Sequence, residues 1–142
     1  MKVWKNIFRK GDKINASEIA VAPGLMLPGA VIVESGSNAN GDYVRFGDGT
    51  MICMGKTSVD GKFDGNLKWG SLYYLDAPVM DYPKPFISQP YTIPVSFTTL
   101  GIMFSTYNPV TTTHTPTIEL VRPVTNPKVP ITIGYVAIGR WK

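Results

Sequence analysis

Acid–base and nucleophilic chemistry needs particular side chains within reach of one another, and this chain offers few of them. It has one histidine, His114, and one cysteine, Cys53. A thiol nucleophile needs a neighbouring base, and a serine relay needs a histidine held between hydroxyl and carboxylate. Cys53 sits between Ile52 and Met54 in an apolar run far along the chain from His114, which reads as a small residue of a strand. His114 stands in Thr111-Thr112-Thr113-His114-Thr115 with no Gly-x-Ser-x-Gly elbow beside it. Its first reading is a surface loop residue. Ligand contact comes second, and metal binding shared between neighbouring subunits comes last.

Ten acidic residues leave room for a glycosidase pair. Most of the aspartates flank glycine, where side-chain hydrogen bonds to the backbone serve turns, and spacing alone selects no pair. The segment Asp60-Gly61-Lys62-Phe63-Asp64-Gly65-Asn66 echoes a calcium loop. It carries Lys62 at the third ligand position and Ser71 at the twelfth, where a cation needs an oxygen donor and a bidentate carboxylate. No glycine-rich phosphate loop is present. The expectation is a protein that is not an enzyme, with no catalytic residues, no cofactor and no metal.

The aromatic residues point instead to binding. Trp69, Tyr73, Tyr74, Tyr82, Tyr91 and Tyr107 lie in or beside loops and strand ends. Flat rings stack on sugar C–H faces, and nearby polar groups then hold hydroxyls. Each ring taken singly is more simply a core or subunit-seam residue. Loop tips carry function more often than strand middles, so the candidate ligand-binding residues are Tyr82, Lys84, Tyr107, Asn108, His114, Asn126 and Lys128.

Elements must position these groups, and the pattern is one of short apolar runs between turn signals. Asn15 with Glu18 resembles a capping box, and Pro23-Gly24 ends any helix begun there, so one short helix is expected near residues 16 to 22. Ala30 to Glu34 reads as a strand, followed by turn formers from Ser35 to Gly41. Tyr43 to Phe46 and Thr50 to Met54 flank Gly47-Asp48-Gly49, a strong hairpin signal. Residues 55 to 70 read as a polar loop and Ser71 to Ala77 as a strand. Pro78, Pro83, Pro85, Pro90 and Pro94 make their stretch loop or edge. Val95 to Thr106 reads as one or two strands broken near Gly101, and Pro109 to Pro116 as a Thr-rich loop. Strands at Thr117 to Arg122 and Val129 to Trp141 complete the chain. The fold class expected is all-β, an antiparallel β-sandwich of six to eight short strands with one short N-terminal helix.

The 142 residues suffice for one core. The expected division is an attachment segment over 1–29 and a sandwich over 30–142. The net charge is +4, with Lys2, Lys5, Arg9, Lys10 and Lys13 crowded at the start. That end reads as a solvated polar segment, and no nucleic-acid motif accompanies it. A single cysteine excludes an internal disulfide and a cysteine zinc cluster. The first residues lack the apolar core of a signal peptide, and no stretch is long and apolar enough to span a bilayer, so synthesis in a cytoplasm without membrane insertion is expected.

Three stretches together resemble the tip domains of bacteriophage tail fibres. Ser35 to Cys53, reading SGSNANGDYVRFGDGTMIC, is similar to their "SNxNGxYxRFxDGTxIC" hairpin. Pro85-Phe86 through Ile93-Pro94-Val95-Ser96-Phe97 resembles the aromatic-proline stretch before their middle strand. Tyr135-Val136-Ala137-Ile138-Gly139-Arg140-Trp141 resembles their closing "xxxAIGRW" strand. The last two also resemble the H-type lectin pattern. Phe8 to Ile19 is similar to the opening of many phage baseplate and fibre modules. The resemblance implies a homotrimeric, receptor-binding virion component. It would recognise a bacterial cell-surface polysaccharide or protein and contact other phage tail proteins through its N-terminal segment. It carries over no sugar-binding residue, because loops vary within the family. A structural adaptor of the tail or baseplate, without a receptor of its own, is the second reading. A glycan-degrading enzyme is the third.

Overall fold

A computed structural model describes residues 31–63, 66–97 and 101–142. The expected helix near residues 16 to 22 and the attachment segment over 1–29 lie outside the described residues. Within them there are nine strands and no helix, in two antiparallel sheets that form a β-sandwich. The strands are β1 (Ile32–Asn38), β2 (Gly41–Phe46), β3 (Thr50–Phe63), β4 (Lys68–Trp69), β5 (Leu72–Asp76), β6 (Tyr91–Ser96), β7 (Met103–Tyr107), β8 (Thr117–Arg122) and β9 (Asn126–Arg140). The first sheet runs β1-β2-β3-β9-β6 and the second β4-β5-β8-β7.

The β2–β3 hairpin forms where Asp-Gly predicts it, with Arg45 opposite Met51. Gly49 adopts φ 91°, open to glycine at little cost, and the Asp48 carboxylate accepts the Thr50 amide at 2.7 Å. The spine is the β3–β9 pair, in register from Thr50↔Arg140 to Gly61↔Val129, with a shift before the last pair, Phe63↔Asn126. Alternation along it sends Met51 and Cys53 from β3, and Ile131, Ile133, Tyr135 and Ala137 from β9, into the core. Ile118 and Leu120 of β8 meet them from the second sheet.

The Pro-rich stretch is not idle loop. Its Met80, Tyr82 and Phe86 are buried over the inner face of the first sheet, with Tyr82 edge-on to both Phe86 and Tyr135 at 5.1 and 5.3 Å. It is pinned to the Thr-rich loop by backbone bonds from Tyr82 to Thr113, from Phe86 to Thr112 and from Thr115 to Met80. Proline loses nothing here, because the stretch pairs only at isolated points until β6, which is an edge strand.

Three expectations are corrected. Ser35 to Asn38 continue β1 instead of turning. As an edge strand with exposed residues β1 tolerates polar side chains, and Gly36 is needed because the Tyr43 ring lies against it, 3.0 to 3.2 Å from where a Cβ would stand. The supposed polar loop from residue 55 is β3 up to Phe63, with β4 at Lys68–Trp69. Lys56, Ser58 and Asp60 hide a strand because its apolar partners come from β9. The strand expected from Val95 starts at Tyr91, and the count rises to nine.

Candidate functional site

The seven candidate residues do not share one place. Tyr82 is in the core, 4% exposed, with its hydroxyl bonded to Thr92 at 2.7 Å, so its ring is turned away from solvent. Lys84 stands beside Glu34 at 4.0 Å and over the Tyr43 ring. His114 forms an isolated bridge with Asp81, and its amide donates to the Thr111 hydroxyl at 3.0 Å. Tyr107 and Asn108 close β7 together. Tyr107 donates to the Asp76 carboxylate at 2.8 Å, and Asn108, at φ 65°, donates to Thr117 at 3.1 Å. Asn126 and Lys128 belong to the backbone of β9 and not to a loop.

Lys84 is part of a charged clasp. Glu34 accepts from the Tyr43 hydroxyl and from Arg45, each at 2.6 Å, and Arg45 also lies 4.9 Å over the Trp141 ring. Trp141 donates its indole N–H to the Phe46 carbonyl at 3.0 Å, which fastens the chain end to the hairpin. The Tyr43 hydrogen bond, helped by Arg45, holds the Glu34 carboxyl below its ordinary range. Glu34 pairs with both cations of the clasp, and only the Arg45 Nε meets no acceptor there, which makes the clasp a brace before it is a binding site.

Cys53 is fully buried, and burial pushes its thiol up to about 11. At pH 7 a thiol of that kind is thiolate about once in ten thousand molecules, far from what a nucleophile needs. The described residues hold no group of three metal-ligating side chains.

Two surfaces remain, one on the outward face of each sheet. On the first sheet, register aligns Val44, Ile52, Ile138 and Tyr91 in one row and Met54, Val136 and Ile93 in the next. The first row crosses four strands, roughly 15 Å, and the second three. Tyr91 is 85% and Ile93 57% exposed. Beside them Val95, Phe97, Met54 and the Asn38–Asp42 turn line an open hollow of about 460 Å³. An apolar face of this extent on a sheet marks a place that another surface covers.

The second sheet's outward face is different in kind. Its register sets Asp76 opposite Glu119 and Glu119 opposite Ser105, with Tyr74, Val121 and Met103 in the adjoining row. Trp69, on the same face, lies 5.5 Å from Tyr74 between ring centres and is half exposed. Glu119 is only 3% exposed, and its Oε2 has no hydrogen-bond partner. Burial, with the nearby Asp76 charge, raises its carboxyl above the ordinary value. The bond to Asp76 raises the Tyr107 hydroxyl in turn, and the charge of Glu119 adds to it. Sequence reasoning reaches Tyr107 but misses Asp76 and Glu119, since both sit inside strands. The alternation of Ile118 and Leu120 with Glu119 and Val121 is the available signal that Glu119 faces away from the core.

No protein-family model matches the chain, and none of the curated proteins does. Solved structures do. An N-truncated R1-type pyocin tail fibre is similar over 92% of this chain and 99% of its own, at 16% identity and a TM-score of 0.56. A C-terminal portion of the P. aeruginosa R1 pyocin fibre is similar over 75% of this chain and 28% of its own, at 14% identity and a TM-score of 0.51. At such identities the likeness is one of fold.

Proposed function

We propose that this chain is the receptor-binding head of a phage-type tail fibre, a virion component that acts as a homotrimer and recognises a bacterial surface glycan or protein. The observation that carries this reading is the fold, shared with a pyocin tail fibre along nearly the whole of both chains. Two features of the surface support it. The apolar outward face of the first sheet suits burial against further copies, and β6, an edge strand with Tyr91 and Ile93 on that face, would lie at the seam. The second sheet's aromatic and acidic face is then free to meet a ligand. The basic segment over 1–29 is assigned to attachment, joining the head to other tail proteins.

The reading is one of binding without turnover. Cys53 is buried as a thiol, and the His114 ring meets the Thr113 hydroxyl of its own loop, with no carboxylate bonded to it among the described residues. The test is direct. Fluorescently labelled protein is added to a panel of bacterial strains, and the same protein is used to compete with infection of the strains it stains. Staining with protection is the expected result. A trimer that stains and protects no strain would transfer the assignment to a structural adaptor of the tail. Shortened chains after incubation with purified surface polysaccharide would replace binding by hydrolysis.

A further inference from the structure

We propose that the outward face of the second sheet is the ligand site and that its ligand is a glycan of neutral or amino sugars, without uronic acid or phosphate groups. This rests on the receptor-binding reading and narrows it to one face and one chemistry.

The starting point is an unanswered acceptor. Glu119 is 3% exposed, yet its Oε2 meets no donor among the described residues. A buried polar atom without a partner costs free energy, and folds retain few of them without a reason. Glu119 does not point into the core. Its neighbours in β8, Ile118 and Leu120, pack there, while Val121, which is set outside that cluster, is buried without joining it. The carboxyl is therefore directed to the side of Asp76, Ser105 and Tyr107, beneath the surface of that face.

The groups around it complement one another. Cross-strand neighbours stand about 5 Å apart at Cβ, so Asp76 and Glu119 together offer acceptors over a span close to that of equatorial hydroxyls on alternate carbons of a pyranose ring. Tyr107 holds one Asp76 oxygen at 2.8 Å and leaves the other to accept from a ligand. Tyr74, one row away, and Trp69, in the row of Leu72 beyond it and inclined at 43° to Tyr74, supply an apolar wall, and half-exposed Met103 and Tyr107 bound the other side. Acceptors next to an aromatic wall match a molecule with hydroxyl donors on its rim and C–H groups on its faces. The same two carboxylates repel an anionic sugar and welcome an ammonium group.

Full-length protein is titrated calorimetrically with oligosaccharides of three kinds, neutral hexose, amino sugar and uronic acid. Neutral or amino oligosaccharides should bind and uronic ones should not. The variants Trp69→Ala and Glu119→Gln should each weaken binding about tenfold or more, the loss typical of removing a central contact. Both positions are outside the core cluster, and circular dichroism checks that each variant keeps its fold. Preference for uronic oligosaccharides, wild-type affinity in both variants, or no binding by any of the three kinds would overturn the proposal. The receptor-binding reading fails separately. Variants that still stain and protect bacteria would move the site elsewhere and leave that reading intact. Oligosaccharide binding that depends on Trp69, in a protein that stains no cell, would keep the site and remove the receptor role.

Discussion

At the scale of single residues, two buried groups set opposite expectations for chemistry. Cys53 has an apolar surround and one weak acceptor, the Lys84 carbonyl at 3.9 Å, so burial holds it as a thiol at about 11. A disulfide reagent at pH 8 should leave it unmodified in the folded protein and label it fully in urea. Rapid labelling without denaturant would mean an exposed, reactive thiol and would reopen nucleophilic chemistry. Glu119 is the reverse case, a polar group kept where charge is costly. Its folded value lies above the ordinary 4.5, so the neutral acid is the form the fold favours. Its contribution is complete below about 4.5 and is lost as pH rises through the higher folded value. Glu119→Gln is neutral throughout, so it should raise the melting temperature at pH 7 and change it little at pH 4. A variant that melts lower at pH 7 would show that the carboxylate has a partner in the fold. A gain in stability accompanied by lost ligand binding is the pattern expected of a binding group placed at a strained position.

At the scale of elements, the β3–β9 pair decides what the rest can do, and a glycine sits at one of its tight points. A Cβ on Gly55 would stand 2.6 Å from the Tyr135 ring and 2.7 Å from the Asn40 carbonyl, both close to backbone turns or bonded groups that cannot retreat. Gly55→Ala should therefore cost about 2 kcal/mol or more of unfolding free energy, read from urea denaturation, by forcing the ring and the β1–β2 turn apart. An unchanged midpoint would mean the strands adjust freely there. The same pair shows where sequence is legible. Strand β8 is readable to the residue because β-favouring residues alternate between bounding turn signals, and the β2–β3 hairpin because Asp-Gly dictates its turn. The continuation of β3 past Gly55 is not, since Lys56, Ser58 and Asp60 are polar on the outward side and Gly55 and Thr57 carry little apolar surface on the inner side. That stretch is a strand because β9 lies beside it, a long-range cause that local propensity does not record. The candidate site is hidden for a related reason. Sequence alone favours loops over strands as places for function, whereas Asp76 and Glu119 converge only through the pairing of β5 with β8.

At the scale of the whole molecule, the two outward faces differ in kind, and the proposed trimer and ligand site take one each. An ordinary β-sandwich alternates apolar inner and polar outer positions, so each sheet can meet water on one side. The first sheet breaks that rule. Ile52, Met54, Val136, Ile138, Tyr91 and Ile93 sit on its outer side in adjoining rows, while their inward neighbours Met51, Cys53, Tyr135 and Ala137 already fill the core. An apolar patch on the second side of a sheet, bordered here by Lys56, Ser58 and Asp60 of β3, is favoured in water when it too is covered. Copies of the same chain are the cover proposed, because closed symmetry buries one such patch on every subunit at once and can shield the β6 edge beside it. Light scattering should then give three times the 15.6 kDa of one chain. Ile93→Lys places an ammonium group at the β6 border of the face, where the seam is proposed, outward and outside the core, so each subunit should keep its fold while the mass falls toward that of one chain. The second sheet is untouched by this change, and oligosaccharide binding per chain should persist in the dissociated variant. A wild-type protein that stays at the mass of one chain at micromolar concentration would sink the trimer, and with it the argument that the first sheet is reserved for assembly.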